Sequence, residues 1–370
     1  MNRNLISMLV LVFTIAIGIL AVMPAFVSAS DYWTAKAPMP YATGESPGSA
    51  AVLLSGKIYV VGLSGSNPNP LEVYDPALNS WTEKAPLPHY SGSDAIAVCQ
   101  NKIYDIIANQ SYDPTTNTWS DIAPSPSGNS FFQPVVVDGK IFEIGGGYGL
   151  MGISSANWVY DPVNNSWSQM APIPTQVETY ASVVLDDKIY ILGGYYFAGG
   201  SNYLPTNLIQ IFDPATNQWS QGTPMPYNMS DAAASLITDS TGQQNIFLVG
   251  GAAWNGKGTV TVNWTQIYDL KTNSWSTGAA LPTPREGLSL VNVNGDLYAL
   301  GGVDVLEYTP EPNGVSASPS LLSTSSPTEQ PTTTQSSPNP SPSVPELSYF
   351  TAGILVVFVT ISIFVIKKQS

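Results

Sequence analysis

The sequence has 370 residues, of which 44% are hydrophobic and only 10% are charged, and it contains 31 glycines and 31 prolines. The formal net charge of −14 excludes nucleic acid and anionic lipid as partners, because both would be repelled. The single cysteine, Cys99, excludes an intrachain disulfide, and the single histidine, His89, excludes a histidine-rich zinc site. Cys99 occupies an inward strand position and is predicted to be a buried small hydrophobe.

Residues 1–29 are predicted to form a signal peptide. An apolar stretch from Leu5 to Met23 follows Arg3 and ends in the small residues Val27-Ser28-Ala29, as cleavage by signal peptidase requires. The apolar stretch is long for a signal peptide, so an uncleaved anchor is the alternative.

A motif that recurs through the middle of the chain predicts paired strands. Each copy has a strand ending in an aromatic residue, a tight turn built from Asp, Pro and Asn, and a strand that opens on Trp. The first copy runs from Tyr74-Asp75-Pro76 to Asn79-Ser80-Trp81. The five tryptophans of this motif are Trp81, Trp119, Trp167, Trp219 and Trp275.

A second motif precedes each copy of the first. It is an apolar strand that ends at paired glycines, where a side chain would block close backbone approach. The first unit has a single Gly62, and the second has Ile107-Ala108 instead, so these two units depart from the pattern. Each unit therefore holds four strands, which bury both faces by stacking around an axis. The pairs are Gly145-Gly146, Gly193-Gly194, Gly250-Gly251 and Gly301-Gly302.

The combination of paired Gly, then Tyr, then Trp at fixed offsets resembles the kelch repeat family over residues 31 to 310. The resemblance implies an all-β fold, a six-bladed kelch-type β-propeller. The last unit stops at Tyr308-Thr309-Pro310 without a Trp strand, whereas Trp33 to Pro40 nearly copies Trp81 to Pro88. This N-terminal strand is therefore predicted to pair with residues 303–308 and to close the ring, which removes exposed sheet edges.

The C-terminal part predicts a membrane anchor. Residues 311–346 are dominated by Ser, Pro and Thr without an aromatic, which predicts an extended, disordered stalk. Residues 347–366 are uncharged and long enough for a transmembrane helix, and the tail at 367–370 carries Lys367 and Lys368, which favour the cytoplasmic side. The propeller at 30–310 is therefore expected outside a cell membrane that the chain crosses once.

One propeller face is predicted to bind a ligand. The loops that enter each blade share this face with the loops between its second and third strands. The first group carries the acids Glu45, Asp94, Glu178, Asp231 and Glu286. The second is long at residues 195–207 and 252–263 and, with its neighbours, supplies Tyr148, Trp158, Tyr195, Tyr196, Phe197, Tyr203, Trp254 and Trp264. The predicted ligand-binding residues are Tyr195, Tyr196, Tyr203, Trp254, Glu178, Asp231, Arg285 and Glu286.

An acidic mouth rimmed by Tyr and Trp suits a glycan or another envelope protein, so a surface interaction module is the leading hypothesis. A carbohydrate-active enzyme is the alternative: Arg285-Glu286 lie where kelch-type sialic acid epimerases carry Arg and carboxylates, and a lyase is also open. A galactose-oxidase-like copper site needs two His and is excluded. A purely structural envelope protein is the third hypothesis. No catalytic residue, metal or cofactor is predicted, and the oligomeric state is left open.

Overall fold

The computed structural model describes residues 32–40, 50–61, 69–89, 95–147, 152–199, 202–239 and 242–310. The chain divides into two compact units, residues 1–320 and 321–370, and the described residues all belong to the first. Every regular element of the described residues is a β-strand, so the predicted all-β class is confirmed. No helix in this part of the chain is long and apolar enough to cross a membrane. The predicted signal peptide, stalk, transmembrane helix and tail lie outside the described residues.

The described strands form six antiparallel four-stranded sheets, numbered here by the order of their first strands. Sheet one contains β2 (Ala50–Leu54), β3 (Lys57–Val61), β4 (Asn69–Asp75) and β5 (Ser80–Leu87). Sheet two contains β6 (Ile96–Cys99), β7 (Lys102–Asp105), β8 (Gln110–Asp113) and β9 (Thr118–Asp121). Sheet three contains β10 (Val135–Val137), β11 (Lys140–Ile144), β12 (Asn157–Asp161) and β13 (Ser166–Gln169).

The remaining sheets follow the same plan, with two additions. Sheet four contains β14 (Ala181–Leu185), β15 (Lys188–Leu192), β18 (Ile209–Asp213) and β19 (Gln218–Gln221). Sheet five contains β21 (Ala233–Thr238), β22 (Gln244–Val249), β25 (Thr265–Asp269) and β26 (Ser274–Thr277). Sheet six contains β27 (Ser289–Val293), β28 (Asp296–Gly301), β29 (Asp304–Thr309) and β1 (Tyr32–Ala35). The additions are a hairpin of β16 (Tyr195–Gly199) and β17 (Asn202–Pro205), and a small sheet of β20 (Met229–Ser230), β23 (Ala252–Trp254) and β24 (Thr259–Thr261).

The first strands of the six sheets contact one another in cyclic order, because β27 of sheet six also contacts β2 of sheet one. The ring is closed at sheet six, where Trp33 of β1 lies opposite Tyr308 of β29 and the backbone N–H of Lys36 donates to Val305 O at 2.9 Å. The predicted pairing of the N-terminal strand with residues 303–308 is confirmed. The core lies between sheets, where the second strands are buried on both faces. Cys99 is buried there, as predicted.

Each repeat tryptophan packs on the aromatic residue that ends the third strand, with ring centroids 4.9 to 5.2 Å apart. In five sheets its indole N–H also donates, at 2.9 Å, to an alanine carbonyl of the preceding sheet, within the end of the fourth strand at Ala85 and just after that strand in the other four. The indole of Trp275 makes no such bond, and Thr223 replaces the alanine there. These donors are Trp33, Trp81, Trp119, Trp167 and Trp219, and their acceptors are Ala279, Ala37, Ala85, Ala123 and Ala171.

The asparagine of the turn also joins neighbouring sheets. Asn165 has φ of 47°, and its Oδ1 accepts from Tyr160 Oη and from the backbone N–H of Ala123, both at 2.7 Å. Asn tolerates the left-handed conformation better than other non-glycine residues, which explains why it occupies this position. Comparable bonds are made by Asn79, Asn117, Asn217 and Asn273.

The paired glycines end the second strands where backbones of adjacent sheets meet. Gly194 has φ of 92°, and a Cβ at this residue would lie 2.6 Å from the carbonyl oxygen of Glu178. A side chain is therefore excluded both by conformation and by space. Sheet two avoids this contact, since Ile107 and Ala108 lie in a tight turn whose backbone N–H groups donate to Asp105 Oδ1. Gly302 has φ of 64° and open space around it.

A buried carboxylate makes the stability of the fold depend on pH. Glu72 on β4 is 2% exposed and lies opposite Glu83 on β5. Burial, and then repulsion by Glu83, raise the pKa of Glu72 from 4.5 to about 7. Glutamine fills the equivalent strand position in sheets two, four and five. The folded state thus binds the proton of the Glu72 carboxyl group more tightly than the unfolded chain does. The stability that this protonation contributes is fully present below pH 4.5 and is lost as the pH rises through 7.

We expect the substitution Glu72→Gln to raise the free energy of unfolding at pH 8 by on the order of 2 kcal/mol, because an uncharged amide removes the cost of burying the charge. At pH 4.5 the variant and the parent should differ little. Urea titrations at both pH values measure this, with Glu83→Gln as the control that removes only the repulsion. An equal stability gain at pH 4.5 and pH 8 would contradict the assignment.

Candidate functional site

Two hairpins extend the face on which the predicted aromatic residues lie. The long connections at 195–207 and 252–263, predicted as loops, form the hairpins β16–β17 and β23–β24. Their aromatic and β-branched residues favour strands, and the residues between β23 and β24 include Gly256 and Gly258. A bridge from Thr206 to Met229 connects the first hairpin to β20, which in turn pairs with β23. The hairpins therefore belong to one hydrogen-bonded surface.

A groove of about 450 Å³ lies between the two hairpins. This volume is in the range of small-ligand sites. The described residues that line it are aromatic, aliphatic or neutral polar, and none is charged. They are Thr175, Tyr196, Leu204, Pro205, Thr206, Asn207, Leu208, Asn228 and Trp254.

The structure divides the predicted aromatic residues between this groove and its surroundings. Tyr196 and Trp254 line it from opposite hairpins, and Trp254 is 37% exposed. Tyr203 does not line the groove: it is 38% exposed and packs on Phe197, with ring centroids 5.6 Å apart. Tyr195 exchanges two backbone hydrogen bonds with Glu178 and so anchors the hairpin to the loop that enters sheet four.

The predicted acids form a separate cluster. Burial raises the pKa of Asp231 from 3.8 to about 6, although the Ser230 hydroxyl lowers it, and Glu286 raises it further. Burial, with a smaller contribution from the charge of Asp231, raises the pKa of Glu178. Glu286 accepts a hydrogen bond from Thr261 Oγ1 at 3.2 Å. Asp231 therefore interacts electrostatically with both Glu178 and Glu286, and none of the three lines the groove.

Backbone hydrogen bonds between successive entry loops hold this cluster in place. Thr179 N–H donates to Phe131 O, Asp231 N–H to Thr179 O, and Gly287 N–H to Asp231 O, at 2.8 to 2.9 Å. Phe131, Thr179, Asp231 and Gly287 all have positive φ, between 50° and 65°. The left-handed conformation turns each N–H toward the preceding loop, so the loops form a continuous chain of bonds at the entry face.

Arg285 is directed away from the acidic cluster. Its guanidinium lies 3.0 Å from Asp304 Oδ2 and 2.8 Å from Thr283 Oγ1, and it also donates to Gly301 O at 3.4 Å. The side chain is thus held by residues of sheet six and its entry loop. None of Arg285, Glu178 and Asp231 lines the groove between the two hairpins.

Sequence reasoning missed the polar side of the groove. An apolar residue followed by proline begins each of two entry loops, and Thr175 lies one residue after Pro174 whereas Asn228 lies two residues after Pro226. Aligning the repeats at these prolines would have placed Thr175 and Asn228 on this face. Tyr227 was also missed; it packs on Trp264 with ring centroids 4.6 Å apart. Trp158 lies on β12, opposite Glu143 and Gln169. The predicted Glu45, Asp94 and Tyr148 lie outside the described residues.

The face formed by the hairpins β16–β17 and β23–β24 is called the hairpin face below. It exposes several large apolar side chains next to an uncharged groove. Such a patch on a folded protein is typical of a binding surface. The exposed large apolar residues on it are Phe197, Tyr203, Tyr227, Trp254 and Val260. Aromatic rings in a shallow groove can stack on a ligand, and the neutral amides and hydroxyls can orient it by hydrogen bonds.

Comparisons with known proteins identify the repeats. Residues 158–302 match the KLHDC2/KLHL20/DRC7 Kelch-repeats domain, and residues 129–174 match the Kelch motif. The chain is 32% identical over 101 residues to Kelch-like protein 40 of Xenopus laevis, covering 27% of this chain and 15% of that protein. It is 30% identical over 118 residues to Kelch-like protein terF of Aspergillus terreus, covering 30% of this chain and 24% of that protein. The chain thus spans a small part of the length of these curated relatives.

A solved structure shares the fold. The structure of YjhT superposes with a TM-score of 0.60 and 17% identity, covering 73% of this chain and 95% of that one. At this identity the similarity concerns the fold alone, and it agrees with a propeller-like arrangement of the sheets.

Proposed function

The chain is a kelch-repeat protein, and from this premise we propose that it is a cell-surface interaction module that binds a glycan or another envelope protein through the hairpin face. The observation that carries the proposal is the groove of about 450 Å³ between the hairpins, with Tyr196 and Trp254 on opposite sides. Its lining is uncharged, and exposed aromatic residues surround it.

A six-bladed propeller is the architecture that this proposal assigns. Six four-stranded sheets whose first strands touch in cyclic order support it, as does the closing strand β1. Loops at one end of such a ring are the usual place for recognition, because the sheets below them hold the backbone rigid. The predicted signal peptide and C-terminal transmembrane helix support a head displayed outside the cell membrane.

The geometry favours binding over the enzymatic alternative. An epimerase or lyase would need Arg285 and carboxylates to converge on one pocket, whereas Arg285 is paired with Asp304. The groove lining includes neither a carboxylate nor a guanidinium among the described residues. A general acid or base must lie within hydrogen-bond reach of the reacting group, and among the described lining residues no carboxylate, imidazole or ammonium group is present for that role.

We expect the double substitution Tyr196→Ala and Trp254→Ala to abolish retention of the full chain on cell-envelope fragments of its source organism. Each ring contributes on the order of 1 kcal/mol, so affinity should fall at least tenfold. Sedimentation of labelled protein with the fragments measures retention, and circular dichroism verifies that the fold is intact.

The control is Tyr32→Ala, which removes an exposed ring from β1 of sheet six, a strand that belongs to neither hairpin and does not line the groove. This variant should be retained like the parent. Equal retention of the double variant and the parent would place the binding site elsewhere and contradict the proposal.

A further inference from the structure

Resting on the proposed function, we infer that the hairpin groove binds an uncharged carbohydrate segment and that the neighbouring acidic cluster discriminates against anionic sugars. The observations behind this inference are the chemistry of the groove lining, its size, and the distribution of charge beside it.

The groove combines the two kinds of group that a neutral sugar requires. Tyr196 and Trp254 offer ring faces for the C–H surface of a pyranose. Within the described part of the chain, the Asn228 amide, the Thr175 hydroxyl and the Trp254 indole N–H make no hydrogen bond, so they remain available to sugar hydroxyls. Asn207 is different, because its amide already donates to Met225 O at 3.1 Å and fixes the groove wall.

The size of the groove favours a compact ligand over a folded protein surface. A stable protein interface buries about 800 Å² on each partner, contributed by about 20 to 30 residues. A concave groove of about 450 Å³ instead has the size of a small-molecule site. A short saccharide, at the end or in the middle of a longer glycan, fits this description.

The charges around the groove determine which sugars it accepts. Glu178 follows the groove residue Thr175 by three positions, and Asp231 follows Asn228 by three. Three residues span at most about 10 Å of chain, which is about one Debye length at 0.1 M salt, so each carboxylate follows a groove residue on the same loop. A carboxylate within that length repels an anionic sugar in the groove.

No basic group of the described residues in the groove lining offsets this repulsion. Arg285 is paired with Asp304 at 3.0 Å, and Lys257 lies in the turn after β23 rather than in the groove. An acidic sugar would therefore lose hydration without gaining a cationic partner, which is unfavourable.

The test is an array that carries neutral oligosaccharides of glucose, galactose, mannose and N-acetylglucosamine beside the same chains capped with a uronic or sialic acid. We expect the full chain to bind at least one neutral chain and to bind its acid-capped form at least tenfold more weakly. Trp254→Ala should weaken binding of the neutral chain about three- to tenfold, whereas Tyr32→Ala, which removes an exposed ring from β1 of sheet six, should leave it unchanged. The double variant Glu178→Gln and Asp231→Asn should narrow the difference between neutral and capped chains.

Failure of this inference can be distinguished from failure of the proposed function. If no neutral chain binds, or if capped chains bind as tightly, the inference is overturned. The envelope fragments are then treated either with protease, which removes proteins, or with periodate, which oxidises sugars. If retention is lost after protease but survives periodate, and still requires Tyr196 and Trp254, the groove binds a protein and the proposed function stands. If periodate abolishes retention and the neutral chains bind, the inference is supported.

Discussion

Deletion of residues 31–40 is expected to lower the melting temperature by more than ~10 °C, which corresponds to a loss of about 5 kcal/mol in the free energy of unfolding. The deletion removes β1 and its ladder with β29, together with the buried side chain of Met39. It also removes Ala37, whose carbonyl accepts from the Trp81 indole and whose N–H donates to Asn79. The outer edge of β29 then becomes exposed, and the contact between sheets six and one is weakened.

Differential scanning calorimetry of the full chain with and without these residues measures the loss. The control is Tyr32→Ala, since Tyr32 lies on the same strand but is 54% exposed, and its removal should shift the melting temperature by no more than ~2 °C. A deletion variant that melts with the parent, and has the same oligomeric state as the parent, would show that β1 does not close the ring.

Substitution of Asn165 by alanine is expected to cost about 3 kcal/mol of stability. Two effects contribute: the loss of hydrogen bonds to Tyr160 and Ala123, at about 1 kcal/mol each, and a left-handed backbone that costs alanine a further 1 kcal/mol or more. Because Ala123 belongs to the connection after sheet two, the lost bond couples one sheet to the next.

Two further variants separate these effects. Asn165→Gly keeps the backbone conformation at low cost and should lose only the hydrogen bonds, so it should be less destabilised than Asn165→Ala. Asn217→Ala is the matched control, because its partner aromatic is Phe212, which has no hydroxyl, and one bond fewer is lost. Equilibrium unfolding in urea gives the three values. The coupling role would be refuted if all three variants were as stable as the parent.

The repeat pattern alone was enough to predict most of the fold. The Trp motif and the paired glycines recur in register, and side-chain alternation in strands is set by local geometry, so strand order within a unit follows from the sequence. The closing strand was also predictable, because Trp33 to Pro40 duplicates a fourth strand that the last unit lacks. The candidate site was predicted less well. The sequence pointed to the face that carries the two hairpins, but it grouped Tyr203 and Arg285 with residues that lie in other environments.

The difference has a physical cause. Strand pairing within a sheet depends on the periodicity of a few neighbouring residues, and the turn that contains Asp75 and Asn79 is specified by its own side chains. The sequence by itself therefore determined the four-stranded sheets and the pairing of the N-terminal strand with the last of them. The direction of Arg285 depends instead on the position of Asp304 in the next sheet, and the groove exists only because two hairpins from different sheets meet at β20. Contacts between residues that are distant in the chain decided these features, and only the tertiary structure contains them.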